Sequence, residues 1–123
     1  MDTKYFEKIR IFDGGMGQEL LSKGLISKGT LWSASALIER EFHKLVIDAH
    51  MSFINAGADI IVTNNFSARK IRFIQNKVLD KFQYANEQAG ILANKAREIS
   101  KQNILIAGSL PSQSDTYVED ERS

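Results

Sequence analysis

Short β-branched runs alternate with longer amphipathic stretches along this chain, and that alternation limits the available folds more than any other feature. Ile9-Arg10-Ile11-Phe12 reads as a first strand that ends at Asp13 and a glycine-rich turn. Asp59-Ile60-Ile61-Val62-Thr63 reads as a second and Ile104-Leu105-Ile106-Ala107-Gly108 as a third. The apolar centres of the last two do not alternate with polar residues, which suits strands covered on both faces. Between the first two, Phe42, Leu45, Val46, Ala49 and Phe53 make one apolar stripe in a helix expected over Ser35 to Ala56, with Gly57 as its C-cap. Between the last two, Phe82, Ala85, Ala89, Leu92, Ala93, Ala96 and Ile99 make a second stripe. Asp80 with Gln83 is expected to cap its start, and a shorter helix is expected over Ala68 to Gln75.

The order is β-α-β-α-β, and crossover helices of this length imply parallel neighbours with right-handed connections. Two architectures accept that order: an open doubly wound sheet, or the start of a (β/α) barrel. Three strands are fewer than either needs. After Pro111 nothing reads as another element, and Ser112 to Ser123 is polar and acidic toward its end. The expectation is an α/β fold in which residues 1–123 form one partial domain.

Composition removes several classes of function. The 123 residues amount to one ordinary domain. Lys plus Arg number 16 against 15 Asp plus Glu, a balance unlike that of a dedicated nucleic-acid binder. There is no cysteine, so the chain itself offers no disulfide, thiolate nucleophile or thiolate metal site. No apolar run approaches the ~20 residues that span a bilayer. The first ten residues lack the apolar centre of a secretory signal, so a cytoplasmic location is expected.

In parallel α/β folds the ligand lies beyond the carboxyl ends of the strands. Those ends are Asp13-Gly14-Gly15-Met16-Gly17, Thr63-Asn64-Asn65-Phe66 and Gly108-Ser109-Leu110-Pro111. All three are small, polar or glycine-rich, and all would open on one side of one sheet. A carboxylate at Asp13 suits an ammonium group, and the glycines behind it let backbone N–H groups approach an anion. Equally, Asp13 suits a turn cap, with the glycines permitting a tight bend. Neither a complete dinucleotide fingerprint nor a Walker lysine follows. His43 and His50 lie seven apart on one helix with no further ligands close by, so a structural or solvated role is expected. The basic stretch Arg69 to Lys77 reads as a solvated helix face, Trp32 as a packing anchor, and Met16 as a gap-filler near the site.

At these residues the sequence resembles the homocysteine S-methyltransferases. The matching pieces run in order: Ile11 to Leu20, Leu31-Trp32-Ser33-Ala34, His50, Ala56 to Ile61, Thr63-Asn64-Asn65-Phe66, Ala107-Gly108-Ser109-Leu110-Pro111, and Tyr117. The resemblance implies a (β/α)8 TIM barrel, of which this is the N-terminal β-α-β-α-β portion. It implies homocysteine as methyl acceptor, a small methyl donor, and methionine as product. It implies a zinc ion on cysteine thiolates that holds the acceptor sulfur deprotonated. Carried onto matching positions, Asp13 and Gly14 contact the amino-acid end of homocysteine, and Thr63 and Asn64 form the adjacent pocket wall.

Three departures accompany the resemblance. The zinc cysteines are absent, Asn65 stands where the family usually has threonine, and Phe42 stands near an expected proline. Two readings follow. In one, the chain is the N-terminal part of a zinc-dependent methyltransferase completed by another segment or chain. In the other, it is an inactive homocysteine-binding remnant that self-associates through exposed strand edges. A complete small α/β domain with an unrelated ligand is a third reading.

Overall fold

A computed structural model describes residues 2–112. The elements are α1 (Met16–Ser22), α2 (Ser35–Ile38), α3 (His43–Asn55), β1 (Ile60–Val62), α4 (Lys70–Gln75), α5 (Phe82–Ser100) and β2 (Leu105–Ala107), with short 3-10 turns between several of them. β1 and β2 pair in parallel, Ile60 opposite Leu105 and Val62 opposite Ala107. The expected second and third strands are therefore present and joined by the expected helical crossover.

The expected first strand is reduced to one parallel bridge, Phe12 with Ile60. Two carboxylates take part in holding this segment to β1. Asp59 Oδ2 accepts from the Ile11 N–H at 2.9 Å, and Asp13 Oδ2 accepts from the Val62 N–H at 2.9 Å. The segment has no described partner on its outer edge, and Ile9 is 95% exposed. A strand with one neighbour and side-chain rungs keeps its direction but not a regular ladder.

The helix expected over Ser35 to Ala56 is interrupted. Glu39 is extended (φ −89°, ψ 112°), and a 3-10 turn over Arg40–Phe42 leads into α3. The break lets Ser35, Ala36 and Leu37 all be buried, which a straight amphipathic helix would not do. His43 Nε2 lies 2.8 Å from the Leu37 carbonyl oxygen, which the break would otherwise leave without a helical partner. Gly57 closes α3 as expected. Its φ is +111°, its N–H donates to Ile54 O, and the Ala58 N–H donates to Phe53 O.

The capping box expected from Asp80 and Gln83 does not form. Asp80 lies inside a 3-10 turn, Leu79–Lys81, so Lys81 rather than Asp80 precedes the helix, and Gln83 Nε2 donates to Glu87 Oε1 instead. The glycine-rich turn after Asp13 contains an unforeseen helix, α1, anchored by fully buried Leu20.

The core has two parts. Leu20, Leu37, Val46, Phe73, Ala85 and Leu92 belong to a cluster among the helices. Ile54, Ile61, Ala93, Ala96 and Ile104 join the sheet to α3 and α5. Along α5 the stripe Ala85, Ala89, Ala93 and Ala96 is buried, and small side chains let α3 pack closely along it. Ile99, counted in the same stripe, is exposed. Ile61 faces the helices, so β-strand alternation turns Val62 to the other side, toward the strand tips.

Candidate functional site

A cavity of about 560 Å3 opens at the carboxyl ends of the strands. Asp13, Gly14, Thr63, Asn64 and Ser109 all line it, so the three loop tips converge as the strand directions require.

Asp13 does not cap the turn that follows it: α1 has no side-chain cap, and the carboxylate reaches across to β1 instead. The Asp13 backbone N–H donates to Ile60 O at 3.0 Å, and its Oδ2 accepts from Val62 N–H, so the side chain extends the sheet by one rung. Burial raises its pKa above the ordinary 3.8, against the lowering effect of the hydrogen bonds from the backbone N–H groups of Val62 and of Asp13 itself. A half-buried carboxylate that is costly to ionise gains most from an incoming cation. Gly14 packs closely: a Cβ there would sit 3.0 Å from Phe53 Cε1 on α3, so the Phe53 ring would have to yield by a few tenths of an ångström. The glycine thus brings the site loop against the helix.

Thr63 and Asn64 face different partners. Thr63 Oγ1 donates to Asn65 Oδ1 at 2.7 Å and accepts from Ser109 N–H at 3.1 Å, which ties the tip of β1 to that of β2. Asn64 is buried, and its Nδ2 donates to Ser33 O at 3.2 Å. Ser67 Oγ accepts from Ala34 N–H at 3.0 Å and completes the fastening of the Trp32–Ala34 turn to the β1 tip.

Residues read as structural also reach the cavity. Trp32, expected as a packing anchor, is 56% exposed on the cavity wall with φ +52°. Its turn is held by hydrogen bonds to neighbouring groups, not by burial of the indole. The basic stretch after β1 is not wholly a solvated face: Arg69 is only 6% exposed, and Arg69 and Arg72 both line the cavity. Their position within ten residues of the β1 tip was the available signal, because loops after parallel strands surround the mouth. Met16 fills space between the core and the cavity, as expected.

His50 is fully buried, and neither ring nitrogen has a hydrogen-bond partner. Burial lowers its pKa to about 4. No group of three His, Cys, Asp or Glu side chains that could hold a metal occurs among the described residues. Tyr117 lies outside the described residues.

Parallel strands and helical crossovers define an α/β protein with a cavity at its carboxyl-end loops. A family model described as homocysteine S-methyltransferase matches residues 10–122, and the chain belongs to that family. It is 31% identical over 115 residues to the homocysteine S-methyltransferase of Escherichia coli K12, an alignment covering 85% of this chain and 35% of that protein. It is 38% identical over 64 residues to homocysteine S-methyltransferase 1 of Zea mays, covering 52% of this chain and 19% of that protein. The fold superposes on the metallated form of the homocysteine methyltransferase MmuM from Escherichia coli with a TM-score of 0.74 and 28% identity. That match covers 89% of this chain and 40% of MmuM. The chain therefore spans well under half the length of these relatives.

Proposed function

We propose that these residues form the amino-acid end of a homocysteine site, in the N-terminal portion of a (β/α)8 barrel that transfers a methyl group from a small donor to the homocysteine thiol. The observation that carries this reading is the convergence of Asp13, Gly14, Thr63 and Ser109 on one cavity in a chain of this family. Asp13 holds the ammonium group, and loss of that charged contact costs about 1.5–3 kcal/mol of binding. The backbone at Gly14 and the wall at Thr63 and Asn64 orient the rest of the amino-acid end.

The residues of this chain do not fit the family's zinc ion. There is no cysteine among the 123 residues, and none of the described carboxylates and histidines gather into a ligand set. Sulfur activation is therefore assigned to residues outside these 123, contributed by further polypeptide.

Calorimetry of the protein with homocysteine tests the reading, followed by methyl-transfer assays of the protein together with any segment that supplies thiolates. Heat of binding, and a higher melting temperature with homocysteine, are the expected results. Absence of both rejects the assignment of this cavity.

A further inference from the structure

We propose that Asn65 is a positioning residue that sets the hydrogen-bond polarity of the Thr63 hydroxyl, making that hydroxyl an acceptor toward an ammonium ligand. The proposal rests on the homocysteine reading and adds a determinant to it. Its basis is a chain of contacts in which each donor fixes the next. Asn86 Nδ2 lies 3.3 Å from Ala68 O and 3.0 Å from Phe82 O. Carbonyl oxygens only accept, so the amide nitrogen of Asn86 must face them, and its Oδ1 must face Asn65. Asn65 Nδ2 then donates to Asn86 Oδ1 at 3.2 Å and to Ser109 O at 3.1 Å. That leaves Asn65 Oδ1, an obligate acceptor, 2.7 Å from Thr63 Oγ1.

The single hydroxyl proton of Thr63 is consequently committed to Asn65. One oxygen lone pair is committed to the Ser109 N–H at 3.1 Å. What remains for a ligand is one lone pair, which takes a hydrogen bond from an N–H and gives none to a carboxylate. Asp13, also an acceptor when ionised, lines the same cavity. The two together select an ammonium. A threonine at position 65 carries a hydroxyl that both donates and accepts, so it leaves the direction of the Thr63 hydroxyl unfixed. An asparagine locked by Asn86 does not.

The test compares homocysteine with its des-amino analogue 4-sulfanylbutanoate, in the full chain and in Asn65→Leu, Thr63→Val and the double variant. The preference for homocysteine is expected to fall roughly tenfold in Asn65→Leu, the size of one hydrogen bond to a charged group. It is expected to fall no further when Asn65→Leu is added to Thr63→Val. An unchanged preference in Asn65→Leu, or a full additional loss in the double variant, overturns the proposal. If Asn65→Leu does not fold, Asn65→Thr replaces it. Its hydroxyl leaves the direction of the Thr63 hydroxyl unfixed, so the preference is expected to fall, and an unchanged preference overturns the proposal. Exchange of the Thr63 hydroxyl proton, followed by NMR, separates this role from the homocysteine reading. A wild type that binds neither ligand removes that reading. A protected Thr63 hydroxyl proton whose exchange becomes at least tenfold faster in Asn65→Leu still supports the polarity chain, and unchanged protection rejects it.

Discussion

At the residue scale, Asp13 links fold and site through separate properties of one carboxylate. Oδ2 serves the Val62 rung, and the net charge is the property that the proposed homocysteine site uses. The Asp13→Asn variant keeps an oxygen acceptor and loses the charge. It is therefore expected to leave the melting temperature nearly unchanged while homocysteine affinity falls ten- to hundredfold, and Asp13→Ala is expected to lose both. Calorimetry and thermal melts on the two variants separate the effects; equal stability losses would remove the structural half of the assignment. Because burial raises the Asp13 pKa, homocysteine affinity is expected to rise with pH as the carboxyl ionises.

His50 gives the fold a second pH dependence. Its folded-state pKa is about 4 against 6.5 unfolded, so between those values the unfolded chain binds more protons. Stability is complete above pH 6.5 and falls as pH drops toward 4, by about 3 kcal/mol in total. Asp13 acts in the opposite sense. Its raised pKa contributes stability that is present below 3.8 and is lost as pH rises through the folded-state value. Thermal melts from pH 7 to pH 4 should show the His50 loss, and His50→Leu should flatten it. An identical slope in that variant would assign the dependence elsewhere.

At the element scale, the stops were more legible than the starts. Gly57 was readable as the end of α3 because a φ of +111° favours glycine for a reason local to one residue. Gly57→Ala is expected to cost about 1–2 kcal/mol, measurable by denaturant unfolding, and a neutral result would show that the turn relaxes. The break at Glu39 was not readable. The stretch from Ser35 has an unbroken apolar pattern, and what accompanies the interruption is a common core beneath both halves; the exposed pair of Lys28 Nζ and Glu39 Oε1 at 2.8 Å sits at the break and adds little. Asp80 and Gln83 have the right spacing for a capping box, but the turn before α5 places Asp80 inside a 3-10 segment. Spacing alone does not reveal where a helix axis begins.

At the scale of the whole molecule, the strands set where the site lies, and side-chain chemistry sets what it holds. With no thiolate in the chain, homocysteine is expected to bind through its amino-acid end. Methionine should then bind the 123 residues about as well as homocysteine, and a chelator should change neither affinity. A large chelator effect in calorimetry would show that these residues hold a metal after all.

The sequence by itself determined the β-α-β-α-β order, the parallel pairing of β1 with β2, the glycine stop at position 57 and the meeting of the loop tips, because periodicity and backbone preference act within a few residues. Only the tertiary structure decided that Asp13 is also a sheet rung, that Trp32 and Arg69 stand on the cavity wall, and that Asn86 and Ser109 hold the Asn65 amide. Those facts depend on groups tens of residues apart meeting at hydrogen-bond distance, and no local pattern encodes that distance.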